Sequence, residues 1–294
     1  MSTPTWQQLG PSGAFYECPR WRDERWWVSD FYADRVVTVT PDGAADVVVE
    51  LGEDHPGGLG WLPDGTLLVV AMLARQVLRV ESDGATSVHA DLTELCAGPA
   101  NDMVVTADGT AYVGSFGFDL NGGEDYRPAD LIRVSPEGDA SVAARDLAFP
   151  NGSVVADGGR TLVVGETFAS RHTAFTIADD GALVDRRIWA QVAPEAPIGP
   201  LAEMVGTIGY APDGCALAAD GSLWVADSLH GRCVRVDETG EILEQLDLPA
   251  GLSAFACGLD GSGTLLVTAA PDFAPDARRA ARESVLLTTD VSAA

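Results

Sequence analysis

The strongest constraint on the fold of this chain is a short β-rich run that recurs six times. Each run has five or six residues, is rich in Val, Leu, Thr, Trp and Tyr, and lies between Asp, Gly or Pro residues, which is typical of a strand. The runs are Trp26–Asp30, Thr66–Val70, Thr110–Gly114, Thr161–Gly165, Ser222–Asp227 and Thr264–Thr268, and successive starts lie 40, 44, 51, 61 and 42 residues apart. Repeats of this length with several strands each are characteristic of propeller blades.

The repeat therefore predicts an all-β fold, a six-bladed β-propeller with a central metal-binding channel, as a single domain over residues 1–294. All-β proteins of this size can form one unit. A β-helix or solenoid is the alternative, but its period is much shorter. The widest interval contains residues 192–210, which hold three prolines and no strand alternation. We interpret them as a long loop over one face, either a substrate lid or an exposed insertion without function.

Composition excludes some partners. The net charge of −26 and the pI near 4.2 would repel phosphate backbones and anionic lipid, so we expect neither a nucleic-acid nor a membrane partner. The acidity fits high solubility, and it also fits a channel mouth that attracts cations. The first residues lack signal-peptide character, no apolar run is long enough to span a bilayer, and five cysteines without a C-x-x-C spacing predict reduced thiols. We expect a cytoplasmic monomer or weak homo-oligomer.

One position shared by the repeats carries oxygen atoms. It lies nine residues before each run, or ten in the fourth repeat, and should face the channel. Its occupants are Glu17, Gly57, Asn101, Asn151, Asp213 and Phe255. Four of these six side chains are carboxylates or carboxamides.

Such a ring favours a metal ion. Oxygen atoms converging on an apolar channel are costly without a cation, and the charges of Glu17 and Asp213 would neutralise one divalent ion. Ligation by oxygen alone favours Ca²⁺ first, then Mg²⁺ or Mn²⁺. Any single Asn-Gly or Asp-Gly pair is more commonly a turn. The prediction depends on the register that four repeats share.

Several strings resemble the senescence-marker-protein/gluconolactonase/luciferin-regenerating-enzyme family. They run in order from about residue 13 to residue 270: ECPRW, GLGWLPDG, NDMVV…AYVGSFGFD, FPNG…TLVVGETF…TAF and PDGCALAADGSLWVAD…RCVRV. The resemblance implies a six-bladed propeller that opens lactones and binds one divalent ion through Glu17, Asn151 and Asp213. It also implies that Asn101 lies beside the metal and helps to hold substrate or water. The ion varies in the family among calcium, zinc, manganese, magnesium and iron.

One position departs from that family pattern. Sugar-lactone members place an Arg two residues before the Asn that matches Asn101, and here that residue is Pro99. A second substrate-side acid of those members matches Asp119, on a stretch that also carries Phe116 and Phe118. Losing the Arg favours a less polar lactone or ester as the small-molecule substrate.

We therefore hypothesise a metal-dependent lactonase or carboxylic ester hydrolase that uses metal-activated water. Asp213 would be the general base, and Asn101 would donate a hydrogen bond to the developing oxyanion or the ring oxygen. Asp119, Phe116 and Phe118 would contact substrate. A phosphotriesterase on the same metal site and a non-catalytic metal-binding propeller remain the alternatives.

Overall fold

The computed structural model describes residues 4–292, whose strands form six antiparallel four-stranded sheets. The first sheet comprises β2 (Tyr16–Arg22), β3 (Arg25–Asp30), β4 (Arg35–Val39) and β5 (Ala45–Glu50). The second comprises β6 (Pro56–Trp61), β7 (Leu67–Ala71), β8 (Gln76–Val80) and β9 (Thr86–Asp91). The third comprises β10 (Ala100–Val105), β11 (Ala111–Ser115), β12 (Ala129–Val134) and β13 (Ala140–Leu147).

The remaining sheets follow the same order, except that the last borrows its outer strand. The fourth comprises β14 (Pro150–Ala156), β15 (Thr161–Glu166), β16 (Arg171–Ile177) and β17 (Leu183–Gln191). The fifth comprises β18 (Pro212–Leu217), β19 (Leu223–Asp227), β20 (Arg232–Val236) and β21 (Ile242–Asp247). The sixth comprises β22 (Ser253–Leu259), β23 (Thr264–Ala270), β24 (Ser284–Asp290) and the N-terminal β1 (Gln7–Gly13).

The first strand of each sheet lies at the centre of the molecule. Each of these inner strands packs against the inner strand of the next sheet, and β22 returns to β2, which closes a ring. The fold is a six-bladed β-propeller, as the repeat predicted. The six recurring runs of the sequence are the second strands of the blades, β3, β7, β11, β15, β19 and β23.

Closure of the ring depends on the pairing of both chain ends. Strand β1 pairs antiparallel with β24, with Gln7 opposite Thr288 and Leu9 opposite Leu286. The outer edge of the last blade is thus completed by the first strand of the chain. This pairing leaves β24 with a partner on each side.

The core lies between neighbouring blades, because the second strands present small and β-branched side chains to both sheet faces. Val28, Val69 and Val163 are fully or almost fully buried on the first, second and fourth blades. Trp224 of β19 belongs to the same buried cluster as Val267 of β23. Each second strand is covered on both faces by neighbouring blades, and this explains why its residues are apolar without a polar alternation.

Within the described residues, two short α-helices lie outside the strands, α1 (Leu201–Val205) and α2 (Pro275–Ala281), and two 3₁₀ turns, Phe31–Ala33 and Thr167–Ala169, follow β3 and β15. Helix α1 falls within the predicted loop 192–210, whose other residues are irregular. Neither helix, nor any other within residues 4–292, is long and apolar enough to cross a membrane.

Candidate functional site

The shared position of the repeats is the second residue of the inner strand in five blades, where it holds Glu17, Gly57, Asn101, Asn151 and Asp213. In the sixth blade Phe255 is the third residue of β22. The pairing of each inner strand with its neighbour is irregular at this point, as between Glu17 and Arg20 in β2 or between Pro150 and Ser153 in β14. An extra residue in one strand bends it and redirects a side chain. The irregularity thus brings residues of separate blades to one place.

Four oxygen-bearing side chains at the beginning of the inner strands line one cavity, which has a volume of about 140 Å³. They are Glu17, Asn101, Asn151 and Asp213, which we call the floor of the cavity. The structure thus brings together all four polar residues that the repeat register picked out. A space of this size holds a small organic molecule as well as water.

The two carboxamides form a hydrogen-bonded chain along the cavity floor. Asn101 donates from Nδ2 to Oδ1 of Asn151 over 3.2 Å. Asn151 donates in turn to Oγ1 of Thr167 over 3.4 Å, and Thr167 donates to the carbonyl oxygen of Pro212 over 2.7 Å. Because Asn101 has two N–H donors, one remains for a bound molecule.

Burial and repulsion from neighbouring carboxylates raise the pKa of Glu17 and of Asp213. Burial, Asp213 and Asp102 hold the pKa of Glu17 well above its ordinary value, against the opposing effects of the Cys18 N–H and Arg20. Burial and Asp102 likewise raise the pKa of Asp213, although Asn151, Gly214 and Ser228 favour its charged form. The raised pKa values indicate that no nearby positive charge balances the carboxylates of Glu17 and Asp213.

A buried ion pair lies beside this floor. Arg20 donates from Nη2 to Oδ1 of Asp102 over 2.7 Å and to the carbonyl oxygen of Met103 over 2.9 Å. Asp102 also accepts the N–H of Met103. The guanidinium of Arg20 is thus already engaged by Asp102, and the two cavity carboxylates are left uncompensated. Within residues 4–292 no three or more His, Cys, Asp or Glu side chains are grouped as a metal site, so carboxamides complete this oxygen cluster.

Three blades hold their inner strand with a buried acid paired to an arginine five residues later. We call these pairs the acid–arginine clasps, Asp30–Arg35, Glu166–Arg171 and Asp227–Arg232. Each acid is fully buried at the end of the second strand. Each also accepts a backbone N–H just before the inner strand, from Ala14 and Phe15, from Ala148 and from Ala211.

The clasps occur in the three blades that carry Glu17, Asn151 and Asp213. In the other three blades the equivalent strand end holds Ala71, Ser115 or Ala270. Because the clasp holds the backbone just before the inner strand, the floor side chain that follows has little freedom to move. The clasps therefore support the three floor residues that the family resemblance singles out.

The cavity wall above the floor is aromatic and aliphatic. The rings come from four blades and are Phe15, Phe31, Tyr32, Phe116, Phe149, Phe168, Phe255 and Phe273. Many contact one another, as Phe15 and Phe255 do at 4.7 Å between centroids and Phe116 and Phe149 do in a stacked pair. Leu120, Val205, Ile208 and Leu229 add aliphatic surface.

The structure brings only one of the predicted wall residues on the stretch 116–119 to the cavity. Phe116 lines it, whereas Phe118 is fully buried behind it against Phe149 and Phe168. Asp119 is exposed and accepts the N–H of Gly122, so its carboxylate stabilises its own loop. The chain leaves strand β11 at Ser115 and turns at Gly117, whose φ is 80°, so residues 116–119 do not keep the alternation of a strand. We correct the assignment of Phe118 and Asp119 to substrate contact, because neither lines the cavity.

Sequence reasoning missed most of the wall. Phe15, Phe149 and Phe168 come from loops around the inner strands, and Val205 and Ile208 come from the segment 192–210. A signal was present in part, since Phe15 and Phe149 lie two residues before Glu17 and Asn151. Pro99 is not among the lining residues, but its carbonyl oxygen accepts the N–H of Phe116 over 2.9 Å.

The family model described as SMP-30/Gluconolactonase/LRE-like region matches residues 15–271. The chain belongs to this family. The match covers every inner strand and all four floor residues.

Curated relatives include lactonases. The chain is 25% identical over 219 residues to lactonase drp35 of Staphylococcus saprophyticus, which covers 71% of this chain and 61% of that protein, less than two thirds of its length. It is 24% identical over 237 residues to 6-deoxy-6-sulfogluconolactonase of Pseudomonas putida, which covers 79% of this chain and 75% of that protein.

Solved structures share the fold at low identity. A gluconolactonase from Xanthomonas campestris superposes with a TM-score of 0.73 at 23% identity, covering 97% of this chain and 89% of that one. Regucalcin from Agrobacterium tumefaciens, a calcium-binding protein, gives a TM-score of 0.78 at 17% identity, covering 99% and 96%. These likenesses confirm the six-bladed propeller.

Proposed function

We propose that this protein is a divalent-metal-dependent hydrolase that opens a small lactone or ester. The observation that carries the proposal is the floor of the cavity, where two desolvated carboxylates and two carboxamides line the same space under an apolar wall. Family membership and the names of the lactonase relatives support it.

The floor residues fit a hard divalent cation. Glu17 and Asp213 supply two negative charges, and Asn151 supplies a carboxamide oxygen. Oxygen donors of this kind suit Ca²⁺, Mg²⁺ or Mn²⁺, and a cation would remove the repulsion that raises both pKa values. The calcium-binding neighbour regucalcin makes Ca²⁺ the first ion to test, followed by Mg²⁺, Mn²⁺, Fe²⁺ and Zn²⁺.

The bound ion would polarise the ester carbonyl and increase the acidity of water. Asp213 would take the proton of the attacking water as general base, because its carboxylate opens on the cavity and the neighbouring Asn151, Gly214 and Ser228 favour its charged form. Asn101 orients Asn151 with one N–H and offers the other to the developing oxyanion. The aromatic wall excludes water from the rest of the reacting molecule.

Hydrolysis of a lactone panel by chelator-treated protein, with one ion restored at a time, tests the proposal. We expect activity to return with at least one ion and to be absent in Glu17→Gln and Asp213→Asn. Glu124→Gln, an exposed carboxylate outside the cavity, is the matched control and should retain activity.

Two results would contradict this function. Full activity after complete metal removal would exclude the metal-dependent mechanism. Metal binding without hydrolysis of any lactone or ester, but with turnover of a phosphotriester, would assign the site to the phosphotriesterase reaction instead.

A further inference from the structure

The wall of the cavity is chemically different from its floor. Apart from the four floor residues, the polar side chains that line it are Tyr32, Asn121, Thr167 and Ser228. Three of these already donate to a backbone carbonyl oxygen, Tyr32 to Phe273, Thr167 to Pro212 and Ser228 to Ala211. Few donors or acceptors are therefore left for the hydroxyl groups of a sugar.

The cavity also lacks a positive charge. Among residues 4–292, those lining the cavity include no Arg, Lys or His, while Glu17 and Asp213 place negative charge on its floor. A carboxylate, phosphate or sulfonate on the part of a substrate that lies against the wall would therefore find no partner there. The site thus favours a molecule that is neutral before the reaction.

An apolar surface extends from the floor to the rim. Phe116 and Phe149 stack beside the floor. Val205 and Ile208, on the segment 192–210, and the partly exposed Leu229 carry the apolar surface outward. The contacts among the rings fix this surface, so an apolar substituent can bind without ordering the wall first.

We propose that the substrate is an uncharged lactone or ester with an alkyl or aryl substituent, which lies against the aromatic wall while the ester group lies at the oxygen cluster. This inference rests on the proposed hydrolase function and adds its substrate class. Each buried methylene group should improve kcat/KM by about fourfold until the rim is reached. Polyhydroxylated and anionic lactones should be poor substrates, because their polar groups would be buried without partners.

The test uses the full-length, metal-loaded protein and a series of δ-lactones with the same ring. δ-Valerolactone, δ-octalactone and δ-decalactone lengthen the alkyl chain, and glucono-δ-lactone and its 6-phosphate add hydroxyl groups and charge. We expect kcat/KM to rise along the alkyl series and to be lowest for the phosphate. Equal values along the series, or a faster reaction with glucono-δ-lactone, would overturn the apolar assignment and leave the lactonase function standing.

A variant at the rim separates wall contacts from chemistry. Leu229→Asn should lower kcat/KM about tenfold for δ-decalactone and by a much smaller factor for δ-valerolactone, because the longer chain makes the larger contact with the rim. Val88→Asn, an exposed apolar residue on the outer strand β9, should change neither. An equal loss for both lactones in Leu229→Asn would contradict the inference.

Binding of the matching δ-lactams, which resist hydrolysis, distinguishes the two levels of the proposal. Calorimetry should show a Kd that falls with alkyl length even if no lactone is turned over, and that result would contradict the hydrolase function alone. A Kd independent of alkyl length would overturn the apolar wall as a binding surface.

Discussion

At the scale of single residues, the site combines charge repulsion with close packing. Glu17 and Asp213 stay near each other because the inner strands that carry them are held in the ring. Desolvation and repulsion from neighbouring carboxylates, Asp102 among them, make their charged forms unfavourable without a cation. The arrangement that activity requires thus lowers the stability of the metal-free protein, which is a common trade-off in enzymes.

Asp213→Asn should therefore stabilise the metal-free protein at neutral pH while it abolishes turnover. Removing one buried charge relieves the repulsion and should raise the free energy of unfolding by about 1 kcal/mol. Thermal unfolding with and without the restored ion measures both effects, since the ion should raise the Tm of the wild type alone. A lower Tm for metal-free Asp213→Asn would show that the carboxylate supports the native fold.

Gly152 shows how closely the blades approach beside the floor. A Cβ atom at this residue would clash with the carbonyl oxygen of Asp213 and would lie 2.7 Å from the backbone N of Cys215. Both obstacles are backbone atoms on the next inner strand, so they cannot rotate away. Glycine is required here for the contact between β14 and β18.

Gly152→Ala should lower the free energy of unfolding by about 2 to 3 kcal/mol and weaken activity, because the strand that carries Asn151 must shift. Gly199→Ala is the matched control, since an added Cβ there meets no atom within 4 Å. Denaturant unfolding and lactone hydrolysis are the measurements. Identical unfolding midpoints for the two variants would contradict the close packing.

At the scale of elements, the acid–arginine clasps connect the second strand, the third strand and the entry to the inner strand. In the fourth blade, burial raises the pKa of Glu166, but Arg171, Thr173 and the N–H of Ala148 outweigh it and lower the pKa below the ordinary value. A carboxylic acid with a lowered folded pKa stabilises the protein at pH values above its unfolded pKa. That stabilisation is lost as the pH falls through the folded pKa.

Glu166→Gln should accordingly cost about 2 to 4 kcal/mol at pH 7, because it leaves Arg171 and its neighbours without a buried anion. The difference from the wild type should shrink as the pH falls below about 4. Urea unfolding over a pH series measures it, and metal affinity should fall in parallel because Asn151 follows the clasped entry. Asp130→Asn, which breaks the exposed pair of Asp130 with Arg145, should cost less than 1 kcal/mol, about the value of a surface ion pair.

At the scale of the whole molecule, closure of the ring depends on β1. Without it, β24 would expose an unpaired strand edge. The link also includes Trp6, whose indole N–H donates to the carbonyl oxygen of Asp247 on the fifth blade. The N-terminal strand thus joins two blades that lie far from it in the sequence.

Deletion of residues 1–10 should lower the Tm by 10 °C or more, on the order of several kcal/mol, and promote association through the open edge. A synthetic peptide of residues 4–13, added in excess, should restore part of the Tm by pairing with β24. Thermal unfolding and size-exclusion chromatography measure the two effects. A truncated protein with the wild-type Tm would show that the other five blades hold the ring without this strand.

The sequence by itself determined the repeat, and with it the blade count and the four polar floor residues. The recurring runs became the second strands because β-rich segments between turn residues are a local property. Glu17, Asn101, Asn151 and Asp213 were found because equivalent positions of a closed ring must face the same axis.

Only the tertiary structure decided what surrounds those residues. The wall is assembled from loops of several blades, so residues such as Phe15, Phe168 and Ile208 share a cavity without sharing a spacing in the chain. The same holds for Arg20, which pairs with Asp102 two blades away. It holds also for Phe118, which we expected to contact substrate and which is fully buried behind the cavity. Local patterns set the strands, but the environment of each side chain depends on which distant segments the ring brings together.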